Sequence, residues 1–331
     1  MPRVVGTDPG TSSLDLLLLD DGAVAAQTQL EPETLRSRPT LLVETLRSWG
    51  PIDLIAGPSG YGLPLVRAGD LTDRDRDLMS LVRPEERGND LGVIGFRGWV
   101  RALVASSLPV VFLPGGIHLP TIPSYRKANA IDLGTADKVA VVALALRTHA
   151  ASGVTLSEAT FAVVEVGSAF TAVLVVSNGA IVDASAGTRG PIGVRSAGAW
   201  DGEAAYWLGP LSKADLFRGG LTDLGDDGPP AFRESLVKHV AGLQAIAPFE
   251  TLYVSGSRAD LALGLLDRFG TVLSLPNLPG ATVKHAAQGA ALLADGLAGG
   301  RHAGLVAALR LREAAGTSLD GLMTRRASEG S

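Results

Sequence analysis

Cysteine is absent from all 331 residues. That excludes disulfides, thiolate nucleophiles, iron–sulfur clusters and thiolate zinc sites together. Histidine is scarce: five copies are spread along the chain with no metal-ligand spacing between them. Long apolar runs are missing too. The stretch FAVVEVGSAFTAVLVV has about 16 residues, interrupted by Glu165 and Gly167, whereas a bilayer-crossing helix needs ~20, so no membrane span is expected. Charge of one sign is not clustered either. Lys and Arg number 29 against 34 Asp and Glu, a formal net charge of -5, and the scatter leaves no electrostatic footprint for nucleic acid. The opening MPRVVGTDPG lacks a secretory pattern, and the cytoplasm is the expected address.

What is present is a large apolar fraction, 46%, in a chain longer than one typical domain, which predicts two packed domains and a cleft between them. The start reads as a three-strand meander: Val4–Val5, then Leu14 to Leu19, then AVAAQTQL after the turn DDG. Residues 31–49 have helical spacing, with Pro39 a point where the helix divides. Asp53 to Ala56 reads as a buried strand. The most charged stretch, 67–92, reads as a solvated helix and loop, followed by a helix near 95–106 and a strand at 109–115. Residues 116–134 form an irregular link. Asp132 to Ala150 is a strongly apolar helix with Thr135 or a neighbour as its cap.

Beyond this helix the opening pattern returns. FAVVEVGSAFTAVLVVSNGAIVDASAG reads as strand, glycine turn, strand, Asn178-Gly179 hairpin, strand. The repetition suggests an internal duplication. FETLYVSGSRADLALGLLDRFG then reads as strand, tight turn and helix, KHAAQGAALLADGLAGG as a closely packed helix, and the segment after Thr317 as a loose polar tail.

The paired hairpins, the helix between them, the YVSGSRADL turn and the Ala/Gly-rich helix at 286–298 resemble the ordered phosphate-1, connect-1, phosphate-2, adenosine and connect-2 motifs of the actin, heat-shock chaperone and sugar/acetate kinase superfamily. The segments PTIPSYRKANAIDLGTADK, EVGSAFTAVLVVSNGAIVDASAGTRG and GAWDGEAAYWLG are similar to an uncharacterised family filed as predicted butyrate kinases. The resemblance implies an α/β chain of two actin-like (ribonuclease H-like) domains, each a mixed sheet with helices on both faces and a nucleotide between them. The expected division is 1–133 and 134–296, with the C-terminal helix, 297–320, packing back on the first domain. By analogy alone, a homodimer is expected.

The same resemblance implies ATP and Mg²⁺ as cofactors. Asp8 would be the metal carboxylate, and Gly10, Thr11, Ser12 and Ser13 would cradle phosphates through backbone N–H groups; read alone, DPGT is also an ordinary hairpin turn. Glu165, Gly167 and Ser168 form the matching turn, with Thr171 opening the next strand. Ser255, Gly256 and Ser257 would hold the nucleotide, with Arg258 near its base or ribose. For the acceptor the candidates are Arg126, Lys127, Arg189 and Arg195, each equally suited to a surface ion pair, together with Asp137, Lys138, Asp201 and Glu203. His118 is a further candidate for the cleft.

Three functions stay open at this level. One is a kinase of a short-chain carboxylate, whose acceptor is already ionised and needs no general base. Another is a kinase of a hydroxylated metabolite or sugar, with Asp137 or Asp201 as base. The third is a nucleotide-gated regulatory or assembly ATPase without a small-molecule acceptor.

Overall fold

The computed structural model describes residues 2–10, 13–86 and 95–323. Strands β1 (Arg3–Pro9), β2 (Leu14–Asp20) and β3 (Ala23–Leu30) form the expected meander. In the β1/β2 ladder Asp8 lies directly opposite Asp15. Helices α1 (Pro32–Ser37) and α2 (Thr40–Ser48) fall on either side of Pro39. There follow β4 (Leu54–Gly57), β5 (Val66–Arg67), α3 (Asp73–Ser80), α4 (Phe96–Ala105) and β6 (Val110–Phe112). The start of α3 is closed by a capping box between Thr72 and Asp75. After α5 (Ser124–Lys127), a single turn, comes α6 (Ala136–Ala150).

The second sheet begins with β7 (Phe161–Val166), β8 (Thr171–Ser177) and β9 (Ala180–Ser185). The β8/β9 turn has Asn178 at φ 51° and Gly179 at φ 79°, the left-handed pair that a two-residue hairpin requires. Helices α7 (Gly202–Leu208) and α8 (Gly228–Ile246), strands β10 (Thr251–Ser255) and β11 (Thr271–Ser274), and helices α9 (His285–Leu297) and α10 (Ala303–Ala308) complete the described elements.

The first sheet runs β3-β2-β1-β4-β6-β5 and the second β9-β8-β7-β10-β11. Apart from β5 the order is the same. In each sheet an antiparallel meander is continued by parallel strands on its first member. Both outer hairpins also carry a register shift, between Leu18 and Leu19 in one and between Val175 and Val176 in the other. The suggested duplication is therefore visible in topology.

Alternation along the strands builds three apolar layers. Val4, Leu17 and Leu19 face inward, as do Phe161, Val163 and Leu174, and between the two sheets they bury α6 and α9. Val5, Leu16 and Leu18 face outward onto α1 to α4, where Leu42 and Trp99 are fully buried. On the far side Ala162, Val164 and Val175 pack against Phe232, Leu236 and Val240 of α8. The two middle helices approach their supports with nothing to spare. A Cβ on Gly6 would stand 2.1 Å from the Ala291 backbone nitrogen, and one on Gly289 1.7 Å from the Ala140 carbonyl oxygen. This gives two α/β domains of one design, with helices on both faces of each sheet.

Three expectations are corrected. The segment after Ser257 is not an α-helix: only 3₁₀ turns form, at Ala259–Leu261 and Asp267–Phe269, with Gly264 between them at φ 78° and Gly270 capping the second at φ 140°, conformations a helix does not contain. Strand β11 was not foreseen, since as a mostly exposed edge strand it has no buried alternation to read. The segment after Thr317 is docked rather than loose as far as Met323. Asn129 N–H donates to the Gly321 carbonyl at 2.8 Å, Met323 N–H to Asn129 Oδ1 at 2.8 Å, and Ser318 is buried. Helix α9 lies against α6 and against β1, β2 and β4 of the first sheet. Among the described residues no helix is long and apolar enough to cross a membrane.

Candidate active site

Parallel strands leave their carboxyl ends open, and ligands in α/β sheets bind there. In this protein the ends of β1 and β4 in one sheet and of β7 and β10 in the other face one cavity of about 1410 Å³. The turn after β1 is closed by Gly10 N–H donating to the Ser13 carbonyl at 2.9 Å. On the opposite wall Glu165 and Ser255 are paired neighbours at the ends of β7 and β10, so their turns, carrying Gly167 and Gly256, lie side by side. Gly256 has φ 101°, and a Cβ there would stand 2.2 Å from the Val166 carbonyl oxygen. Only glycine suits that position.

A charged cluster fills the base of the cavity. Lys138, on the first turn of α6, is 2.7 Å from Asp137 Oδ2 and 2.8 Å from Glu165 Oε2. Burial disfavours the charged ammonium of Lys138, but the two carboxylates outweigh it and raise its pKa. Burial likewise opposes the charge on Asp137. The Lys138 ammonium and the hydrogen bonds from Lys138 and Thr135 prevail, and hold that carboxyl below the usual range. Glu165 is raised by burial, against the pull of Lys138. Asp8, 5% exposed, is pushed up to about 7, first by burial and then by the charge of Asp137, with a smaller contribution from Asp15 across the ladder. Lys284 and Lys138 pull the other way without offsetting that burial, so a further cation would favour the ionised Asp8.

The structure brings Asp8, Gly10, Asp137, Glu165, Gly167, Ser168, Ser255, Gly256 and Ser257 to this one cavity. Ser13 stands just behind, its hydroxyl 2.8 Å from Lys284 Nζ. Thr11 and Ser12 lie outside the described residues, as do positions 87–92 of the charged segment. Thr171 opens β8 as expected but is fully buried beneath the turn.

Of the acceptor candidates Asp137 and Lys138 reach the cavity; the others, and Arg258 and His118, do not line it, each for a local reason. Arg126 turns away to the Val182 carbonyl at 2.7 Å and to Asp183 at 3.4 Å. Lys127 is satisfied by the Leu119 carbonyl at 2.7 Å. Arg189 is exposed, with its guanidinium 3.5 Å from the Arg126 carbonyl. Arg195 is exposed too and lies over the Phe217 ring, 5.5 Å from its centroid. Asp201 is the N-cap of α7, accepting Glu203 N–H at 2.8 Å, and both side chains face solvent. Arg258 folds back on Asp260 at 3.2 Å. His118 is 2% exposed, with burial lowering its pKa to about 4, and its Nδ1 accepts Gly115 N–H at 3.2 Å in a structural turn.

A family model described as a protein of unknown function (DUF1464) matches residues 6–323. The chain belongs to that family. No curated protein matches it in sequence. Among solved structures, acetate kinase from Entamoeba histolytica superposes with a TM-score of 0.57 at 12% identity, covering 80% of this chain and 86% of that one. A propionate kinase from Francisella tularensis subsp. tularensis gives 0.57 at 14%, covering 88% and 98%. Acetate kinase from Porphyromonas gingivalis gives 0.52 at 14%, covering 82% and 88%. At such identities the likeness is one of fold, and this family member has the two-domain, actin-like α/β fold of those kinases.

Lys284, Asp132 and Lys213 line the same cavity and were not foreseen as site residues. Lys284 precedes α9, and its Nζ lies 2.4 Å from where a Cβ on Gly10 would stand, 3.2 Å from the Ser13 carbonyl and 3.3 Å from Asp15. Asp15 is fully buried and anchors this lysine, also accepting the Lys284 N–H at 2.9 Å and Gln29 Nε2 at 2.8 Å. Asp132, just before α6, is raised to about 6, mainly by burial, with Gly134 N–H at 2.8 Å on its Oδ1 opposing. Lys213 lies on the segment after α7. The one signal in the sequence was positional: Asp132 and Lys284 each fall within four residues of the start of a long buried helix.

Proposed function

We propose that this protein is an ATP- and Mg²⁺-dependent phosphotransferase whose acceptor is a short-chain carboxylate. The observation that carries the reading is the convergence of three glycine turns, at Gly10, Gly167 and Gly256, from two like sheets onto one cavity, with the buried Asp8 among them. The donor set suits these cofactors. The Lys284 ammonium beside the Gly10 turn is a cation suited to an anionic group. No group of three or more ligating side chains occurs among the described residues. That fits a magnesium ion held by one or two carboxylates, with phosphate and water completing its shell. Bound Mg²⁺–ATP supplies the phosphoryl group and a further cation for Asp8.

In this reading Asp8 holds the cation and Lys284 meets phosphate oxygens. Lys138 is neutralised by Asp137 and Glu165 and keeps both carboxylates in place between the domains. Phosphoryl transfer depends on positioning and electrostatics, which such a rigid array provides.

One observation favours a second reading, in which the acceptor is a hydroxyl. Asp132 faces the cavity with its carboxyl raised to about 6, and so has the proton affinity of a general base near neutral pH. Isothermal titration of Mg²⁺–ATP into wild type and Asp8→Asn, followed by an ADP-release screen over short carboxylates, sugars and polyols, decides. ATP binding, ADP release with an acid, and loss of at least about 100-fold in Asp8→Asn turnover are expected. ADP release only with polyols, abolished by Asp132→Asn, gives the second reading. A folded wild type that binds no nucleotide ends both.

A further inference from the structure

The cations around the cavity are almost all neutralised. Arg83 pairs with Glu85 and Glu86, Arg97 with Asp77, Lys138 with Asp137 and Glu165, and Lys284 with Asp15. Lys213 is different. Among the described residues no carboxylate lies within ion-pair distance of its ammonium, whose partners are the Tyr61 hydroxyl at 3.0 Å and the Tyr61 ring, 4.7 Å from its centroid. An ammonium facing a cavity with one hydrogen bond and an aromatic face retains donors to spare.

Its position is well defined. Lys213 N–H donates to Glu86 Oε1 at 3.0 Å, Arg83 donates to the Leu211 carbonyl at 2.8 Å, and Ser212 and Asp215 close a capping box around the next turn. The segment 209–217, from the second half of the chain, is thereby strapped to Tyr61, Arg83 and Glu86 of the first half. The neighbouring cavity wall is apolar: Met79, Phe96, Leu216 and Phe217 line it.

We propose that Lys213 and Tyr61 form the acid-binding end of the acceptor pocket, receiving the carboxylate of an organic acid whose hydrocarbon part lies against Phe96, Leu216 and Phe217. The Tyr61 hydroxyl accepts from Lys213, so its own proton is free to donate. An ammonium and a phenol donor side by side match the two oxygens of a carboxylate. Glu86 and Asp132 feel the Lys213 charge without pairing with its ammonium, and a single cation suits a monoanionic carboxylate better than a phosphate dianion. Naming this acid as the acceptor rests on the phosphotransferase reading. Its binding does not.

The test uses the full chain without nucleotide, with butyrate, its neutral isostere butyramide and inorganic phosphate titrated into wild type, Lys213→Gln, Lys213→Arg and Tyr61→Phe. Butyrate should bind wild type and Lys213→Arg. Butyramide binding, and butyrate binding to Lys213→Gln, should each be weaker by at least about tenfold, the size of one charge-assisted hydrogen bond. Equal binding of butyrate and butyramide, no binding of either, or a loss in Lys213→Gln confined to phosphate would overturn the proposal. Should Lys213→Gln fail to fold, Tyr61→Phe, which keeps the ring, carries the same test. If wild type binds butyrate but releases no ADP from ATP, the phosphotransferase reading falls and this site stands. Turnover with an unchanged KM for butyrate in Lys213→Gln has the opposite meaning.

Discussion

Asp8 couples stability to chemistry at a single residue. Its carboxyl is raised from an ordinary 3.8 to about 7 in the folded chain, so the folded state holds its proton longer than the unfolded state. Below about pH 4 both states are protonated and Asp8 costs nothing. As pH rises from about 4 to 7 the unfolded chain ionises first, stability falls, and above about 7 the loss is complete. Asp8→Asn should therefore stabilise the ligand-free protein at pH 8 by roughly 2–4 kcal/mol while leaving it unchanged at pH 4. Urea unfolding at the two pH values measures this, and an equal effect at both would show that burial of charge is not the cause. Asp8, Glu165 and the glycines beside them are legible in the sequence because each sits at a strand end next to a turn residue. Lys284 carries no such local mark. It reaches Gly10 only because α9 lies on β1, where Gly6 admits Ala287 and Ala291. The arginines are the opposite case: the segments that resemble the kinase family offer Arg126, Arg189 and Arg195 for the acceptor, and nearby carbonyls, Asp183 and Phe217 engage them instead.

Among the elements, α6 and α9 are the pair on which both sheets rest, and their contact depends on an absent side chain. Gly289→Ala places a Cβ against backbone that cannot rotate away, and about 3 kcal/mol of destabilisation is expected. Gly242→Ala, within α8 with nothing within 4 Å, should instead stabilise by about 0.5–1 kcal/mol through helix propensity. Opposite shifts in the denaturation midpoint are the readout; similar shifts would mean that propensity, not the crossing, governs Gly289. The meanders, the division at Pro39, α6 and α9 were readable because their apolar spacing reports burial directly. Segment 258–270 was misread because Leu261, Leu263, Leu265 and Leu266 suggest a helical pattern, while Gly264 and Gly270 take backbone conformations that a helix cannot contain.

For the molecule as a whole, the strap from 209 to 217 joins the two halves beside the cavity, and Glu86 is its anchor, accepting from Arg83 and from the Lys213 N–H. Hydrogen exchange should show Glu86→Ala accelerating amides of Lys213 and its neighbours by about tenfold or more while α6 and α9 stay protected. Uniform protection would mean that other contacts hold the strap. No property of GPLSKADLF alone announces this bridge. By itself the sequence determined the two repeated meanders, the helices between the sheets and the turns that carry Asp8 and Glu165, because these depend on periodicity and on backbone conformations that few residues adopt. Only the tertiary structure decided that Lys284, Asp132 and Lys213 share a cavity with those turns, and that the expected arginines do not. Proximity between residues far apart in the chain is set by how helices and loops pack across it, and an isolated lysine or aspartate looks the same in the sequence whether it ends in a cleft or in solvent.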